Sequence, residues 1–416
     1  MPKPKNLLSK HKYPFFLVLA GLLLLAIFNW LLDYRQRDIL FADSGNYLEA
    51  AQNLYLDFSV HYFRPILMSA INGIPLVFGF DEIAVLNWSF FVNVCCWILT
   101  SILVFKTICF FASEKIAFVF ALLTLLFVGN LALTFHLLTE NIYICFISSG
   151  SYLIFKYAKE KRFIFLASAL AIFLLSMLIK PGSKFLAIVV CLYFTVELYR
   201  NFKKRSMLLV YGSILIIGFQ LAGMKKQYGD YTISYIDGVT SYNYLCSRAI
   251  CIKNGIAFNA SANERTFVIN SLDYSTGKKL AVNDLKIQVL ENPLNLSKAY
   301  LANVYDNTKT GNSAVDFTKN VKKSNHFETI KLLLYNISKW QNRLFTVLGI
   351  LLAAFFMWKK FRTEKATAVV AFFIVYIIAT SGISSSEGDR FHLVTFPFTI
   401  VLLAKYVTER KQILNH

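Results

Sequence analysis

The sequence predicts an all-α polytopic membrane protein, with about ten hydrophobic helices, interfacial helices in a first outer loop, and one large extracytoplasmic loop. Three observations lead there. The 416 residues are 56% hydrophobic and only 16% charged, with a mean hydropathy of +0.52, too apolar for a soluble domain of this length. The apolar runs are roughly 16–27 residues long, the length of a membrane helix rather than of a membrane strand. Hydrocarbon leaves a bare backbone without hydrogen-bond partners, so runs of that length must be helical. Lastly, Lys and Arg collect in every second short loop, the pattern that sets membrane orientation.

Spans are expected near 13–32, 86–112, 116–138, 141–158, 163–179, 185–199, 206–224, 343–358, 367–383 and 391–407. One set of connections holds Lys3, Lys5, Lys10 and Lys12; Lys115; Lys159, Lys161 and Arg162; Arg200, Lys203, Lys204 and Arg205; Lys359, Lys360, Arg362 and Lys365; and Arg410 and Lys411. These alternate with the other set, so both termini are expected in the cytoplasm of a multi-pass inner-membrane protein. The basic stretch before the first span lacks a small-residue cleavage site after it, which points to a retained helix rather than a signal peptide. A net charge of +19 would suggest nucleic acid on a soluble protein. Here orientation accounts for it, and no nucleic-acid partner is expected. The chain divides into an N-terminal membrane module at 1–224 with an outer loop at 33–85, a loop domain at 225–342, and C-terminal membrane helices at 343–416.

In the first outer loop, 43–58 reads as an interfacial helix, with Tyr47, Leu48, Ala51, Leu54, Tyr55 and Phe58 on one face. Asp43 and Ser44 stand at its start, where a side-chain acceptor can cap free N–H groups. Residues 65–79 are apolar but interrupted by Gly73 and Pro75, and read as a re-entrant or surface helix. Cys95, Cys96, Cys109, Cys145 and Cys191 fall in spans and read as packing residues. Cys246 and Cys251 lie in the large loop, where a local disulfide and two free thiols stand as even alternatives.

No soluble-enzyme motif is present. The distinctive feature is one-sidedness. Asp43, Arg64, Glu140, Lys180, Glu387, Asp389 and Arg390 all map to the outer ends of expected helices, with His61, His136 and His392 at the same level. Solvated rim charge is the ordinary reading of any one of them. Asp43 also reads as an N-cap, Glu140 as a cap for a helix starting at Asn141, and Lys180 as a headgroup anchor. The histidines are too scattered to make a metal site.

The run DSGNYLEAAQNL, with Asp43, Tyr47 and Ala51, resembles the first outer loop of GT-C glycosyltransferases, in the branch of protein O-mannosyltransferases and lipid A aminoarabinose transferases. Arg64-Pro65 and Phe78-Gly79 continue that pattern. LLTENIYICF with Glu140, LIKPGSKF with Lys180, and EGDRFHLVTFPFTIVLLA with Arg390 resemble later family segments. The resemblance covers 1–224 and 380–407 and leaves the loop at 225–342 outside it. It implies an inverting transferase that moves a sugar from a polyprenyl-phosphate donor to a glycan, lipid or protein acceptor on the extracytoplasmic face, in cell-envelope, lipopolysaccharide or polysaccharide biogenesis. It implies catalytic roles for Asp43 and Glu140, donor-phosphate binding by Arg64, Lys180 and Arg390, and sugar or acceptor positioning by Tyr47, Glu387 and Asp389. No cofactor is required by the residues themselves, and a divalent metal near Glu140 is what the resemblance allows.

The chemistry is coherent. A carboxylate takes the acceptor's proton, and cations stabilise the charge growing on the leaving phosphate. Two other readings are a polysaccharide polymerase or O-antigen-ligase-like enzyme and a lipid-linked-sugar flippase. The first would place key basic residues in the late loop. The second would need polar groups near the bilayer midplane.

Overall fold

The computed structural model describes residues 7–32, 41–260, 262–321, 323–385 and 387–414. Among the described residues every regular element is helical and there is no strand. In chain order the helices begin with α1 (Leu7–Leu32), then α2 (Ala42–Tyr55), α3 (Ile66–Asn72) and α4 (Ile74–Val77) of the first loop. The bundle continues with α5 (Glu82–Ile108), α6 (Glu114–Leu125), α7 (Val128–Leu133), α8 (Glu140–Glu160), α9 (Phe163–Ser176), α10 (Lys184–Tyr193), α11 (Thr195–Asn201) and α12 (Leu208–Tyr228). The large loop contributes α13 (Ile236–Thr240), α14 (Ser247–Lys253), α15 (Glu264–Asn270), α16 (Tyr274–Glu291), α17 (Pro293–Lys309) and α18 (Ser313–Asp316), with a π-helical turn at Ser241–Cys246. The chain then closes with α19 (Phe327–Lys360), α20 (Lys365–Ser381) and α21 (Phe396–Leu414).

Among the described residues, four stretches are long and apolar enough to cross a membrane: Lys12–Leu32, Glu82–Ile108, Arg205–Tyr228 and Phe327–Lys360. A fifth exists if α10 and α11, bent by 63°, count as one span. That is fewer than the ten expected, and the reasons are local. The run at 116–138 leaves the helix at Leu126 and Phe127, so α6 has 12 residues and α7 has 6. Helices α9 and α20 are apolar but only 14 and 17 residues long, about 21 and 25 Å at 1.5 Å per residue, short of a ~30 Å hydrocarbon core. Helices α8 and α21 have the length but are more polar, with Ser148, Ser149 and Ser151 on one and Lys405, Glu409 and Arg410 on the other.

Helix α8 occupies the middle of the bundle, packed against α5, α9 and α20. It is buried around most of its circumference, Tyr143 and Ile147 completely. Gly150 lets α9 close on it: a Cβ there would lie 2.9 Å from the Phe173 ring. One continuous apolar core joins these helices to α19, α20 and α21. The outward side of the long helices stays apolar and exposed, as at Leu22 and Leu23 on α1, Leu215 and Phe219 on α12, and Leu344 and Leu351 on α19. This is what a lipid-facing surface requires.

The large loop folds as short helices with two small apolar clusters, around Tyr242–Ile269–Ala281 and Leu245–Ala249–Ala299. Residues 327–342, read from sequence as part of that loop, are the first half of the 34-residue α19. Asn342 near its middle is buried and donates from Nδ2 to the carbonyls of Asn307 and Thr310, at 2.7 and 2.9 Å. Cys246 and Cys251 are both free thiols. They sit five positions apart on consecutive helical turns, and Cys246 is buried beside Asp284. The disulfide alternative is not realised.

Candidate functional site

The first loop fixes Arg64 through its backbone. His61 is buried, and its Nδ1 accepts from the amides of Phe63 and Arg64 at 3.0 and 3.1 Å. Its proton therefore sits on Nε2, 3.4 Å from a Glu49 carboxylate oxygen. From the large loop, the amide of Tyr235 donates to the Tyr62 carbonyl at 3.0 Å and Ser234 Oγ to the Phe63 carbonyl at 2.8 Å. The Arg64 guanidinium lies 4.4 Å from the Tyr47 ring centre, and its Nη1 is 3.3 Å from the Tyr47 hydroxyl. Its Nη2 donates to Asp43 Oδ1 at 2.5 Å.

Asp43 is not the cap of α2. The helix starts at Ala42, and Phe41 occupies the N-cap position with no side-chain cap bond. Ser44 Oγ is buried and makes no hydrogen bond. The Asp43 carboxylate turns away from the backbone and bridges two arginines, Arg64 through Oδ1 and Arg390 through Oδ2 at 2.9 Å. The helical face behind it holds Tyr47, Leu48 and Ala51 as read from sequence, but Phe58 lies beyond the helix with φ +50° and is almost fully exposed.

Glu140 likewise begins α8 rather than capping it; Thr139 precedes it with no side-chain cap bond. Only 2% of its side chain is exposed. Oε1 receives Arg390 Nε and Nη2 at 3.3 and 3.2 Å and faces Lys180 Nζ at 3.6 Å. Oε2 is buried with no hydrogen-bond partner. Lys180 therefore does more than anchor a helix end. It leans on Glu140 between the rings of Tyr143 and Phe391. Arg390 completes the set, giving Nη1 to Glu387 Oε2 at 2.8 Å and lying 5.3 Å from the Phe41 ring centre.

Three carboxylates and three cations from five segments thus interleave. The cluster is buried on the bundle side, at Glu140 and Arg390, and open on the other, where Asp43, Glu387 and Lys180 keep roughly a quarter to a third of their surface. Burial alone would raise the Asp43 pKa, but the charges and hydrogen bonds of Arg64 and Arg390 outweigh it and hold the carboxyl at about 2. For Glu387 the balance reverses: burial, joined by repulsion from Asp43 and Glu140, outweighs Arg390 and raises it.

Asp389 is the predicted site residue that the structure does not bring into the ion-paired group. It is fully enclosed and accepts from Asn312 Nδ2 at 2.7 Å. Its other oxygen approaches so near Gly129 that a Cβ there would lie 2.6 Å away. Asn312 also caps α18, accepting from the amides of Ala314 and Val315. Asp389 therefore ties the final turn to the large loop, and burial pushes it up to about 7.

The histidines have separate duties. His392 bridges Ser381 at 2.8 Å and Thr346 at 3.2 Å, joining α20 to α19, and His136 meets Phe41 edge-on at 5.2 Å. Among the described residues no group of three or more His, Cys, Asp or Glu side chains is arranged to hold a metal ion. Two contributors carry no sequence signal as site residues. Phe41 forms one wall beside Arg390, and Tyr244, on the π-helical turn, lies within electrostatic range of Glu387, Asp43 and Arg390. A cavity of about 590 Å³ lies away from the cluster, lined by Cys109, Ser113, Lys405 and Glu409. No family model matches the chain, and no curated protein matches it.

Proposed function

We propose that the chain is a membrane glycosyltransferase that uses a polyprenyl-phosphate sugar on the extracytoplasmic face, with both chain termini in the cytoplasm. The observation that carries this reading is the cluster itself. Six charged side chains from five segments meet at one point, although buried ion pairs seldom add net stability over apolar packing. Such groups concentrate where chemistry needs them.

In the proposed reaction an acceptor hydroxyl oxygen bonds to the anomeric carbon of the sugar. The carbon–oxygen bond to the lipid phosphate breaks with its electron pair going to that phosphate, and the hydroxyl proton passes to a carboxylate. The leaving group is already an anion and needs cations, which Arg64, Lys180 and Arg390 supply; arginine's planar fork suits phosphate. At rest Asp43 is a poor base, because both oxygens are held by arginines. A donor phosphate competes for those guanidiniums. Asp43 released from them returns toward an ordinary carboxyl pKa of about 4, and becomes a proton acceptor when the donor is seated. Tyr47 and Glu387 hold Arg64 and Arg390 in place until then. Asp389 acts one step back, by fixing the turn that carries Arg390.

The test is donor consumption by the purified chain in proteoliposomes, using radiolabelled polyprenyl-phosphate sugars and following release of the lipid phosphate. Turnover that disappears in Arg64→Ala supports the reading. Turnover indifferent to Arg64, Lys180 and Arg390 substitutions, or no consumption of any such donor, removes it.

A further inference from the structure

A cavity of about 260 Å³ lies between the first loop and the large loop, walled by Tyr62, Phe63 and Tyr274 with Asn270, Asp273 and Lys278 among its polar lining. The aromatic residues that line it pack on one another along one side. Tyr62 and Tyr274 stack at 4.2 Å between ring centres, Phe63 meets Tyr62 edge-on at 4.4 Å, and Tyr235 lies 5.8 Å from Tyr274. Some of the tyrosine hydroxyls are used to build the box. Tyr228 donates to the Val60 carbonyl at 3.1 Å, and Tyr235 to Asp230 at 3.0 Å.

We propose that this cavity binds a single pyranose unit of a carbohydrate acceptor. Aromatic faces carry negative quadrupole charge, which suits the weakly positive C–H face of a sugar ring. The ring's hydroxyls each need donors and acceptors around the edge. Lys278 can only donate and Asn270 does both, while ionised Asp273, whose Oδ1 already caps α16 by accepting from the Thr276 amide at 3.0 Å, can only accept. An apolar ligand would leave that polar edge unpaired. The volume sits just below the ~300–1,000 Å³ of sites for drug-sized ligands, which fits one ring rather than an extended chain.

The location joins this cavity to the ionic cluster. Phe63 walls the cavity, and Arg64, the next residue, enters the cluster. The turn carrying both is held by His61 and by the Tyr235 and Ser234 bonds of the large loop. The residue that walls the sugar cavity and the residue proposed to bind donor phosphate are thus consecutive on one short turn. This deepens the transferase reading, and rests on it for the bound sugar's role as acceptor. Sugar binding itself does not depend on it.

The experiment is saturation-transfer NMR on the full chain in lipid nanodiscs free of glycoside detergent. The probes are the methyl pyranosides of glucose, galactose, mannose, rhamnose and N-acetylglucosamine. Ring-proton saturation is expected for at least one probe. It should weaken at least about fivefold in Tyr274→Leu and persist in Tyr274→Trp, which keeps an aromatic face. Lys278→Ala should also weaken it, and reads the same site should Tyr274→Leu fail to fold. Absence of saturation for every probe, or saturation indifferent to both Tyr274→Leu and Lys278→Ala, overturns the proposal. Binding without donor turnover in the wild-type chain would instead leave the sugar site standing and remove the transferase reading.

Discussion

Arg390 and Asp43 stand 347 positions apart in the chain and meet through Arg390 Nη2 and Asp43 Oδ2 at 2.9 Å. The same guanidinium also reaches Glu140 and Glu387. Arg390 is thus the shared counter-charge of three carboxylates, one of them almost wholly buried. Removing one partner of a buried ion pair leaves charge without compensation, at a cost of about 3–5 kcal/mol. Arg390→Ala should accumulate poorly and melt early in a detergent thermal-shift assay. Arg390→Lys keeps one charge but cannot serve three carboxylates, so it should recover much of the folding and little of the donor turnover. Wild-type thermal stability in Arg390→Ala would mean that the cluster contributes nothing to folding.

Asp389 gives a pH dependence of definite sign. Its carboxyl is raised to about 7 in the folded chain by burial, against about 3.9 when unfolded. Between these values the folded state binds the extra proton, so stability is greatest at the acid end of the window. It falls as pH rises from about 4 to about 7, and levels above that. Asp389→Asn removes the titrating group while keeping an acceptor for Asn312. Its melting temperature relative to wild type should therefore rise by several degrees between pH 5 and pH 8, because only wild type loses stability, about 2–3 kcal/mol, over that interval. Equal melting shifts at both pH values would assign Asp389 no titration in this range.

The all-helical class was legible from composition and run length, and the convergence of Asp43, Arg64, Glu140, Lys180 and Arg390 from their shared position at helix ends. The number of full-length spans was not, because hydropathy counts apolar residues and not helical continuity. Nothing in FVGN tells a window average that α6 stops at Leu125. Asp389 and Arg390 are neighbours with similar sequence credentials, yet one enters the ion pairs and the other binds Asn312 from the large loop. That choice depends on a contact across 77 positions. Phe41 and Tyr244 were invisible for a related reason: an aromatic residue in a chain with 39 Phe and 22 Tyr carries no mark of its neighbours.

Orientation is testable directly. Lys and Arg in alternate loops predict that a reporter fused within 225–326 is extracytoplasmic and that one at 160 or 203 is cytoplasmic. Alkaline phosphatase fusions should be active at the first position and inactive at the other two. The opposite pattern would place the cluster on the cytoplasmic face, where the proposed donor chemistry does not apply.

The sharpest prediction separates Asp43, on the open side of the cluster, from Glu140, on its buried side. Asp43 has both oxygens committed to arginines at rest, while Glu140 keeps Oε2 without a partner. On the exchange mechanism Asp43 is the base, freed only when donor phosphate claims Arg64 and Arg390. Glu140 stays beneath Arg390 and Lys180 and orients them. Asp43→Asn keeps the shape but cannot accept the proton, so transfer should fall by about 10²–10⁴-fold, the usual contribution of general-base catalysis. Donor binding should survive or tighten, because the phosphate no longer competes with a carboxylate charge. Glu140→Gln should instead weaken donor binding and shift stability, since it unbalances two cations. Single-turnover transfer and equilibrium donor binding, measured side by side in proteoliposomes, distinguish the roles. Near-normal transfer in Asp43→Asn together with loss in Glu140→Gln would reverse the assignment and make the buried, unpaired Oε2 of Glu140 the proton acceptor.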